Sequence, residues 1–289
     1  MGSGVAMITP FTTNGIDYKS IGKIIDYQLK NGTKAIIACG TTGEAPALSE
    51  YEQKKVITFI VEYVNGRIPV IAGTGFNSTA HSVKMSKFAA KAGADGLLLI
   101  TPYYNKPGQN GIITHFFTVA DSTDKPVIIY NIPSRTGVNI TPETYLKLSE
   151  HENIAGVKEA NGNLAAAAEC RALTDGALDI YSGNDSEIVP FLSLGGAGVI
   201  SVLANILPKE TSDICELYFA GKVKESMRLQ LSLTELCGEL FAETNPIPVK
   251  YAMKLLGYGN GNMRLPLTPL DEKSKVRLEA AMKKAGLCI

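Results

Sequence analysis

Short runs of consecutive apolar residues recur along the chain and alternate with longer helix-like segments. Near-continuous apolar runs of this length are typical of strands in a parallel sheet that is covered on both faces. The pattern predicts strands at Gly4 to Ile8, Ala35 to Cys39, Ile68 to Ala72, Gly96 to Ile100, Val127 to Tyr130, Ile154 to Lys158, Ile180 to Ser182 and Gly198 to Ser201.

A helix-like stretch follows each of these runs. Ser49 to Val64 opens with a serine followed three residues later by a glutamate, which is the pattern of a capping box. Asn77 to Ala92 and Thr141 to Glu150 begin with Asn or Thr, and Pro142 suits the first position of a helix. Eight β-then-α units predict a (β/α)8 TIM barrel. A doubly wound open sheet is the alternative, although no GxGxxG motif follows the first strand.

The strand pattern stops at about Leu207. Beyond it the sequence predicts helices at Lys209 to Ala220, Val223 to Ala242, Pro248 to Leu256 and Glu272 to Ala285. One of them belongs to the eighth unit. We therefore predict a barrel over residues 1–220 and a C-terminal helical extension over residues 221–289.

Composition narrows the class of protein. The 289 residues carry 28 Lys and Arg against 28 Asp and Glu, so the net charge is zero. This argues against a nucleic-acid partner and is compatible with self-association. No apolar run reaches the length of a membrane span, and no signal peptide is recognisable. The five cysteines are scattered without a CxxC pair, which favours reduced thiols in the cytoplasm and no zinc site.

Lys158 ends a predicted buried strand, which makes it the strongest candidate for catalysis. Burial disfavours the ammonium form, lowers the pKa and leaves a nucleophilic amine that can form a Schiff base with a carbonyl compound. The alternative is a lysine whose stem is packed while its head reaches water or a carboxylate such as Glu159.

In a barrel, catalytic groups lie at the C-terminal ends of the strands. Gly40-Thr41-Thr42-Gly43-Glu44 follows the second predicted strand, and its glycines allow backbone N–H groups to face a small anion. A glycine pair can equally form only a tight turn. No Lys-Ser or Lys-Thr follows the second glycine, so the loop is not a nucleotide P-loop.

Two further side chains near the predicted mouth suit such chemistry. Tyr130 would lie one strand away from Lys158 and could transfer protons, with Thr42 and Tyr104 as relay partners. Arg135 offers a guanidinium that suits a carboxylate. The ordinary alternatives are a half-buried tyrosine and a surface arginine. The histidines at 81, 115 and 151 fall in or at the ends of predicted helices, away from the loops.

With these motifs together, the chain resembles the dihydrodipicolinate synthase family of pyruvate-dependent class I aldolases. The likeness covers nearly the whole chain, and its motifs are these: Gly4 to Phe11, Gly40 to Glu44, Tyr130 to Gly137, Gly156 to Ala160 and Asn245 to Lys250.

The resemblance implies a role for each matching residue. Lys158 would form an imine with pyruvate, and Tyr130 would be the general acid and base. Thr41 and Thr42 would bind the pyruvate carboxylate.

Further roles follow from the same resemblance. Gly183 and Ile200 would line the pocket. Arg135 would hold the carboxylate of L-aspartate 4-semialdehyde. Tyr104 would reach in from a neighbouring subunit of a homotetramer built as a dimer of dimers. Neither a metal nor a cofactor is implied, and the product would enter lysine and diaminopimelate biosynthesis.

One segment departs from the family pattern. Some members are inhibited by lysine through a serine and histidines after the glycine loop, but residues 45–53 here contain no histidine. His81 stands where a glutamate often lies, although Asn77 and Tyr103 still match. We therefore expect weak or absent inhibition by lysine.

Two alternatives share much of this pattern. A sister aldolase acting on N-acetylneuraminate or another sugar acid would have the same lysine and tyrosine, but would generally lack a match for Arg135. A barrel that has lost catalysis and binds a keto acid would need no complete set of Lys158, Tyr130 and Thr42.

Overall fold

Eight parallel strands close into a barrel in the computed structural model, which describes residues 1–289. The strands are β1 (Gly2–Ala6), β2 (Ala35–Ala38), β3 (Val70–Gly73), β4 (Gly96–Ile100), β5 (Val127–Asn131), β6 (Ile154–Glu159), β7 (Asp179–Ser182) and β8 (Gly198–Ser201). Gly4 of β1 is paired with Ala35 of β2 and also with Ile200 of β8, which closes the ring. The predicted TIM barrel is confirmed, and the open sheet is wrong.

Thirteen helices accompany the strands. They are α1 (Tyr18–Lys30), α2 (Glu50–Val64), α3 (Thr79–Lys91), α4 (Gln109–Ala120), α5 (Pro133–Thr136), α6 (Pro142–Leu148), α7 (Leu164–Leu173), α8 (Ile188–Ser193), α9 (Pro208–Phe219), α10 (Val223–Ser232), α11 (Thr234–Glu239), α12 (Ile247–Leu255) and α13 (Glu272–Lys284). Ser49 and Glu52 form the predicted capping box of α2. Thr141 caps α6, in which Pro142 is the first residue. None of the helices combines the length and apolar character needed to cross a membrane.

The first strand begins and ends two residues earlier than predicted, at Gly2–Ala6 instead of Gly4 to Ile8. The apolar run continues past the strand because the following loop is buried as well. Met7 and Ile8 are each only 2% exposed, and the Ile8 N–H donates to Asn205 Oδ1 at 3.1 Å. The buried loop therefore shows the same run of apolar residues in the sequence as a buried strand would.

The predicted single helix from Val223 to Ala242 is wrong, because the segment forms the two helices α10 and α11. The break falls at the buried Leu233, whose φ and ψ of −100° and 0° end α10. It lets α10 pack against α9 while α11 packs against α13. Leu236 of α11 and Leu278 of α13 belong to the same buried cluster as the helix–strand layer of the barrel. The division at residues 220 and 221 stays a prediction.

The inside of the barrel holds a second, smaller cluster of buried side chains. Its six members are Ala6, Ile37, Leu98, Tyr130, Ala160 and Ile200. They come from strands around the ring and from the residue after β6. This cluster fills the inside of the barrel and reaches the mouth at Tyr130.

Candidate active site

Lys158 lies inside the barrel on β6, directly opposite Tyr130 of β5 in the strand register. Its side chain is buried, and Nζ lies 4.3 Å from the centroid of the Tyr130 ring without a hydrogen bond or an ion pair. Burial lowers the pKa of Lys158 to about 8, with Asp185 acting in the opposite direction and Arg135 adding to the shift. At pH 7 about a tenth of Lys158 is therefore a neutral amine, far more than for an exposed lysine.

Glu159 does not pair with Lys158, in contrast to the alternative in which the lysine head reaches this carboxylate. Successive side chains of a strand point to opposite faces, and Glu159 faces the helices outside the barrel. It accepts hydrogen bonds from Asn131 Nδ2 at 3.0 Å and from the Tyr145 hydroxyl at 2.7 Å. The carboxylate thereby braces the turn after β5 and leaves the amine of Lys158 unpaired.

Tyr130 is enclosed among apolar side chains at the mouth of the barrel. Burial raises the pKa of Tyr130 to about 12, although Arg135 and the Thr41 hydroxyl act in the opposite direction. The phenol is therefore protonated at neutral pH and can donate a proton to a group bound beside Lys158.

The loop from Gly40 to Glu44 combines a tight turn with free backbone donors. The N–H groups of Gly43 and Glu44 donate to Gly40 O and Thr41 O at 3.1 and 3.0 Å, so these two amides form the turn itself. The N–H groups of Thr41 and Thr42 have no hydrogen-bond partner within the protein. Two adjacent unpaired donors suit a small anion such as a carboxylate.

Arg135 lies in the one-turn helix α5, exposed and directed toward the C-terminal extension. Its Nη2 donates to the backbone oxygen of Asn245 at 2.8 Å. The side chain of Asn245 donates in turn to Thr42 Oγ1 at 3.0 Å. The structure thus brings Arg135 and Thr42 together through a residue to which the sequence analysis gave no role of its own.

Gly183 and Ile200, to which the resemblance gave a place in the pocket, lie near Lys158 and Tyr130 respectively. Gly183 follows β7, and a Cβ atom at this position would stand 3.2 Å from Lys158 Cε and 2.6 Å from Ala160 Cβ. Ile200 lies in the same buried cluster as Tyr130. The nearby Ser201, for which the sequence suggested no clear role, accepts a hydrogen bond from the Ala204 N–H at 2.8 Å.

Tyr104 is a predicted site residue that this chain leaves almost fully exposed. It has a positive φ of 70° and is 89% exposed. The adjacent Tyr103 is half-buried and lines a cavity at the mouth together with Thr41 and Tyr130. The backbone therefore presents Tyr104 outward from the rim of the barrel.

A buried ion pair beneath the glycine loop was also missed by the sequence analysis. Lys250 of α12 donates to Glu44 Oε1 and to the Thr9 carbonyl, and its Nζ lies 4.1 Å from the centroid of the Phe11 ring. Burial lowers the pKa of Lys250 to about 8, although Glu44 acts in the opposite direction. The backbone N–H of Arg264 donates to the other carboxylate oxygen of Glu44, Oε2, at 3.0 Å. This pair joins the extension to the loop.

The histidines lie away from this chemistry. His115 is buried in α4 next to Thr79, and burial lowers its pKa to about 4. His81 and His151 pair with Glu50 and Asp121 on the helical layer. No group of three or more His, Cys, Asp or Glu side chains is arranged to hold a metal ion.

Comparison with known proteins agrees with this arrangement. A profile of the dihydrodipicolinate synthetase family matches residues 1–285. The 4-hydroxy-tetrahydrodipicolinate synthase of Clostridium tetani is 52% identical over 274 residues, which cover 94% of this chain and 93% of the relative.

Solved structures give the same result. The chloride-inhibited dihydrodipicolinate synthase of Acinetobacter baumannii complexed with pyruvate has a TM-score of 0.97 and 42% identity, with 99% of both chains covered. A monomeric dihydrodipicolinate synthase variant also has a TM-score of 0.97 and 42% identity, with 99% of this chain and 97% of the variant covered. The chain belongs to the dihydrodipicolinate synthetase family.

Proposed function

We propose that this protein condenses pyruvate with L-aspartate 4-semialdehyde, as a 4-hydroxy-tetrahydrodipicolinate synthase. The observation that carries the proposal is the unpaired, buried amine of Lys158 opposite the Tyr130 phenol. Membership of the family and the relatives' printed activity support it. The reaction would supply lysine and diaminopimelate biosynthesis.

The first half of the reaction uses Lys158, Tyr130 and the glycine loop. The amine of Lys158 attacks the keto carbon of pyruvate, while the N–H groups of Thr41 and Thr42 hold its carboxylate. Tyr130 donates a proton to the carbinolamine oxygen, which leaves as water and gives the imine. The imine withdraws electrons from the pyruvate methyl group, which loses a proton to the Tyr130 phenolate and becomes an enamine, so that Tyr130 is protonated again.

The second half forms the carbon–carbon bond. The enamine carbon attacks the aldehyde, and the aldehyde oxygen takes a proton from Tyr130. Arg135 binds the carboxylate of the semialdehyde through its guanidinium. The amine of the product then replaces Lys158 on the imine carbon and closes the six-membered ring.

We extend the proposal to the assembly and the location. The outward Tyr104 suits a relay that is completed by a second subunit, as in a dimer of dimers. The five free cysteines, four of them buried, suit a reducing compartment such as the cytoplasm.

The decisive test supplies pyruvate and aspartate semialdehyde to the purified protein and couples the product to dihydrodipicolinate reductase. Loss of NADPH that requires both substrates is expected. Arg135→Ala should lose most activity with the semialdehyde but still form the pyruvate imine, which borohydride traps on Lys158.

Two outcomes would redirect the proposal. No turnover with trapping intact would retain the aldolase chemistry and move the second substrate to a sugar acid. Failure of both turnover and trapping would favour a barrel that binds a keto acid without reacting.

A further inference from the structure

The outer faces of β5 and β6 carry a buried polar cluster directly behind two side chains of the candidate site. Asn131 and Glu159 are partners in the strand register, one step beyond the pair of Tyr130 and Lys158. Because successive side chains of a strand point to opposite faces, the outer pair lies on the helix side of the barrel. Asn131 and Glu159 are 0% and 3% exposed. A buried amide and a buried carboxylate thus lie on the same two strand ends as Tyr130 and Lys158.

The carboxylate of Glu159 accepts every hydrogen bond that it makes in this cluster. Asn131 Nδ2 lies 3.0 Å from each of its two oxygens. Oε1 also accepts the Asn161 N–H at 2.9 Å, and Oε2 accepts the Tyr145 hydroxyl at 2.7 Å. Since an ionised carboxylate has no proton to donate, it fixes the Asn131 amide with its NH2 group toward Glu159. The oxygen of that amide must then face the other way.

The amide of Asn131 joins the two ends of the segment that carries Arg135. Its Oδ1 accepts the backbone N–H of Ile140 at 3.3 Å, and its Nδ2 also donates to Asn139 Oδ1 at 2.8 Å. Residues 132–140, which we call the Arg135 loop, leave the barrel at Asn131 and return to the same side chain. One buried amide, oriented by Glu159, therefore closes this loop.

We propose that Glu159 is a positioning residue for the second substrate: through Asn131 it holds the Arg135 loop so that the guanidinium meets the carboxylate of the semialdehyde. The inference rests on the proposed function, because it concerns how Arg135 binds aspartate semialdehyde in that reaction. The position of Lys158 does not depend on the same amide, since its backbone lies in the strand ladder and is paired with β5 on one side and β7 on the other.

Glu159→Gln keeps the size of the side chain and gives a specific kinetic expectation. Its NH2 group would replace one carboxylate oxygen and face Asn131 Nδ2, so that two donors oppose each other. The kcat/KM for aspartate semialdehyde should fall about ten-fold, in line with the loss of one buried hydrogen bond to a charged group. Borohydride trapping of pyruvate on Lys158 should change less than about two-fold. A purely structural role would act first on Lys158, which is adjacent in the chain.

A double-mutant cycle with Arg135 tests the route of the effect. If Glu159 acts through Arg135, its substitution should matter little once that guanidinium is absent. In the Arg135→Ala background, Glu159→Gln should therefore lower kcat/KM for the semialdehyde by less than about two-fold. A ten-fold loss in both backgrounds would overturn the inference, because Glu159 would then act by another route.

Tyr145→Phe is the matched control. Tyr145 donates to the same carboxylate but belongs to α6, outside the Arg135 loop. Its substitution should lower stability and change kcat/KM for the semialdehyde less than about two-fold. A ten-fold loss in this variant as well would mean that any disturbance of the cluster acts on the site, and would overturn the specific role of the contact between Glu159 and Asn131.

Asn139→Ala is a second probe at the far end of the loop, where the side chain is exposed. It should lower kcat/KM for the semialdehyde about three-fold without slowing the trapping of pyruvate. Circular dichroism and thermal unfolding establish that each variant folds. Should Glu159→Gln not fold, Asn139→Ala decides, and an unchanged kcat/KM in that variant overturns the inference.

The outcomes separate this inference from the proposed function. No turnover in the unaltered protein overturns both. Full activity of Arg135→Ala with the semialdehyde overturns the role of Arg135 and that of Glu159 with it. Turnover in the unaltered protein and its loss in Arg135→Ala, together with an unchanged kcat/KM in Glu159→Gln or with trapping slowed by as much as kcat/KM, overturns the role of Glu159 alone.

Discussion

Lys158 is the residue at which burial has the most direct chemical effect. Its pKa of about 8 leaves a reactive amine at a pH where an exposed lysine would be almost fully protonated. The shift has a cost, since the charged form is disfavoured inside the barrel. The unpaired state of Nζ is what makes this amine available to a carbonyl carbon.

The rate of pyruvate trapping on Lys158 should therefore depend on pH in a defined way. Raising the pH through about 8 removes the proton from Lys158, so trapping with borohydride should increase and level off above that pH. Mass spectrometry of the reduced adduct measures the rate, and Lys158→Arg should give no adduct. A rate that climbs only near pH 10 would show that the lysine is not perturbed.

Gly183 leaves room for the side chain of Lys158 because glycine has no side chain of its own. A methyl group at this position would stand 2.6 Å from Ala160 Cβ and 3.2 Å from Lys158 Cε. Gly183→Ala should therefore displace the lysine stem, destabilise the fold by about 1–3 kcal/mol and slow trapping of pyruvate. Denaturant titration and the trapping assay measure the two effects.

Gly238→Ala provides the comparison. Gly238 lies in α11 with no atom within 4 Å of an added Cβ, so alanine should stabilise the helix by about 0.5–1 kcal/mol without slowing trapping. Equal effects of both substitutions would contradict the role of Gly183.

The sequence identified most residues at the mouth because each directly follows an apolar strand. Lys158, Tyr130 and Thr42 could be placed by strand position alone. Asn245 could not, because it contacts Thr42 across 203 residues of chain and its neighbours show no strand pattern. Its contacts with Thr42 and Arg135 arise only when the C-terminal extension packs on the barrel.

At the scale of elements, the C-terminal extension is joined to the glycine loop by buried charge. Lys250 of α12 and Glu44 of the loop pair out of contact with solvent, each with a side chain 1% exposed. The sequence offered little sign of this pair, because a lysine within a helix is usually exposed. The resemblance included Lys250 in its final motif but gave it no partner.

Removing one member of this ion pair should lower the free energy of unfolding substantially. Lys250→Met leaves the Glu44 carboxylate buried without its cation, so the free energy of unfolding should fall by about 3 kcal/mol or more. The double variant Glu44→Gln with Lys250→Met should be less destabilised than Lys250→Met alone. Chemical denaturation provides the measurement.

Lys254→Met is the control on the same helix. Lys254 is exposed, so its replacement should change stability by less than about 0.5 kcal/mol. A loss as large as that of Lys250→Met would indicate that the helix, and not the ion pair, is responsible.

The positions of the elements were easier to predict than their ends. All eight strands of the barrel were found, because each is a short apolar run that alternates with a helix. The end of β1 was misplaced because Met7 and Ile8 are buried in a loop. The break at Leu233 was missed because no glycine or proline marks it.

At the scale of the whole molecule, the outward position of Tyr104 raises the question whether assembly of subunits completes the candidate active site. If Tyr104 acts on the site of a neighbouring subunit, a mixture of Lys158→Ala and Tyr104→Phe chains should recover activity. The Tyr104→Phe subunit retains Lys158 and receives an intact Tyr104 from its partner. Activity of refolded mixtures, compared with each variant alone, measures this.

The control is a chain that carries both substitutions, Lys158→Ala and Tyr104→Phe. Refolded assemblies of this chain alone should stay inactive. Mixtures without recovery, despite formation of mixed assemblies, would mean that Tyr104 does not act across subunits.

Sensitivity to inhibition by lysine is a second property of the whole molecule. Residues 45–53 provide no histidine, and His81 is engaged with Phe76, whose ring centroid lies 4.2 Å from its own. We expect little loss of activity at micromolar lysine in a steady-state assay. Strong inhibition in that range would contradict this prediction.

The clamp that Asn245, Lys250 and Arg264 place on residues 40–44 has a consequence for biosynthesis on the ribosome. The loop is among the first parts of the chain to be translated, but its supporting contacts are among the last. A nascent chain that has emerged past β8 already contains all eight barrel strands but still lacks these contacts with residues 40–44. We therefore expect the loop to become ordered only after residues 245–264 have emerged, and a chain that ends before Asn245 would lack all three contacts with the loop.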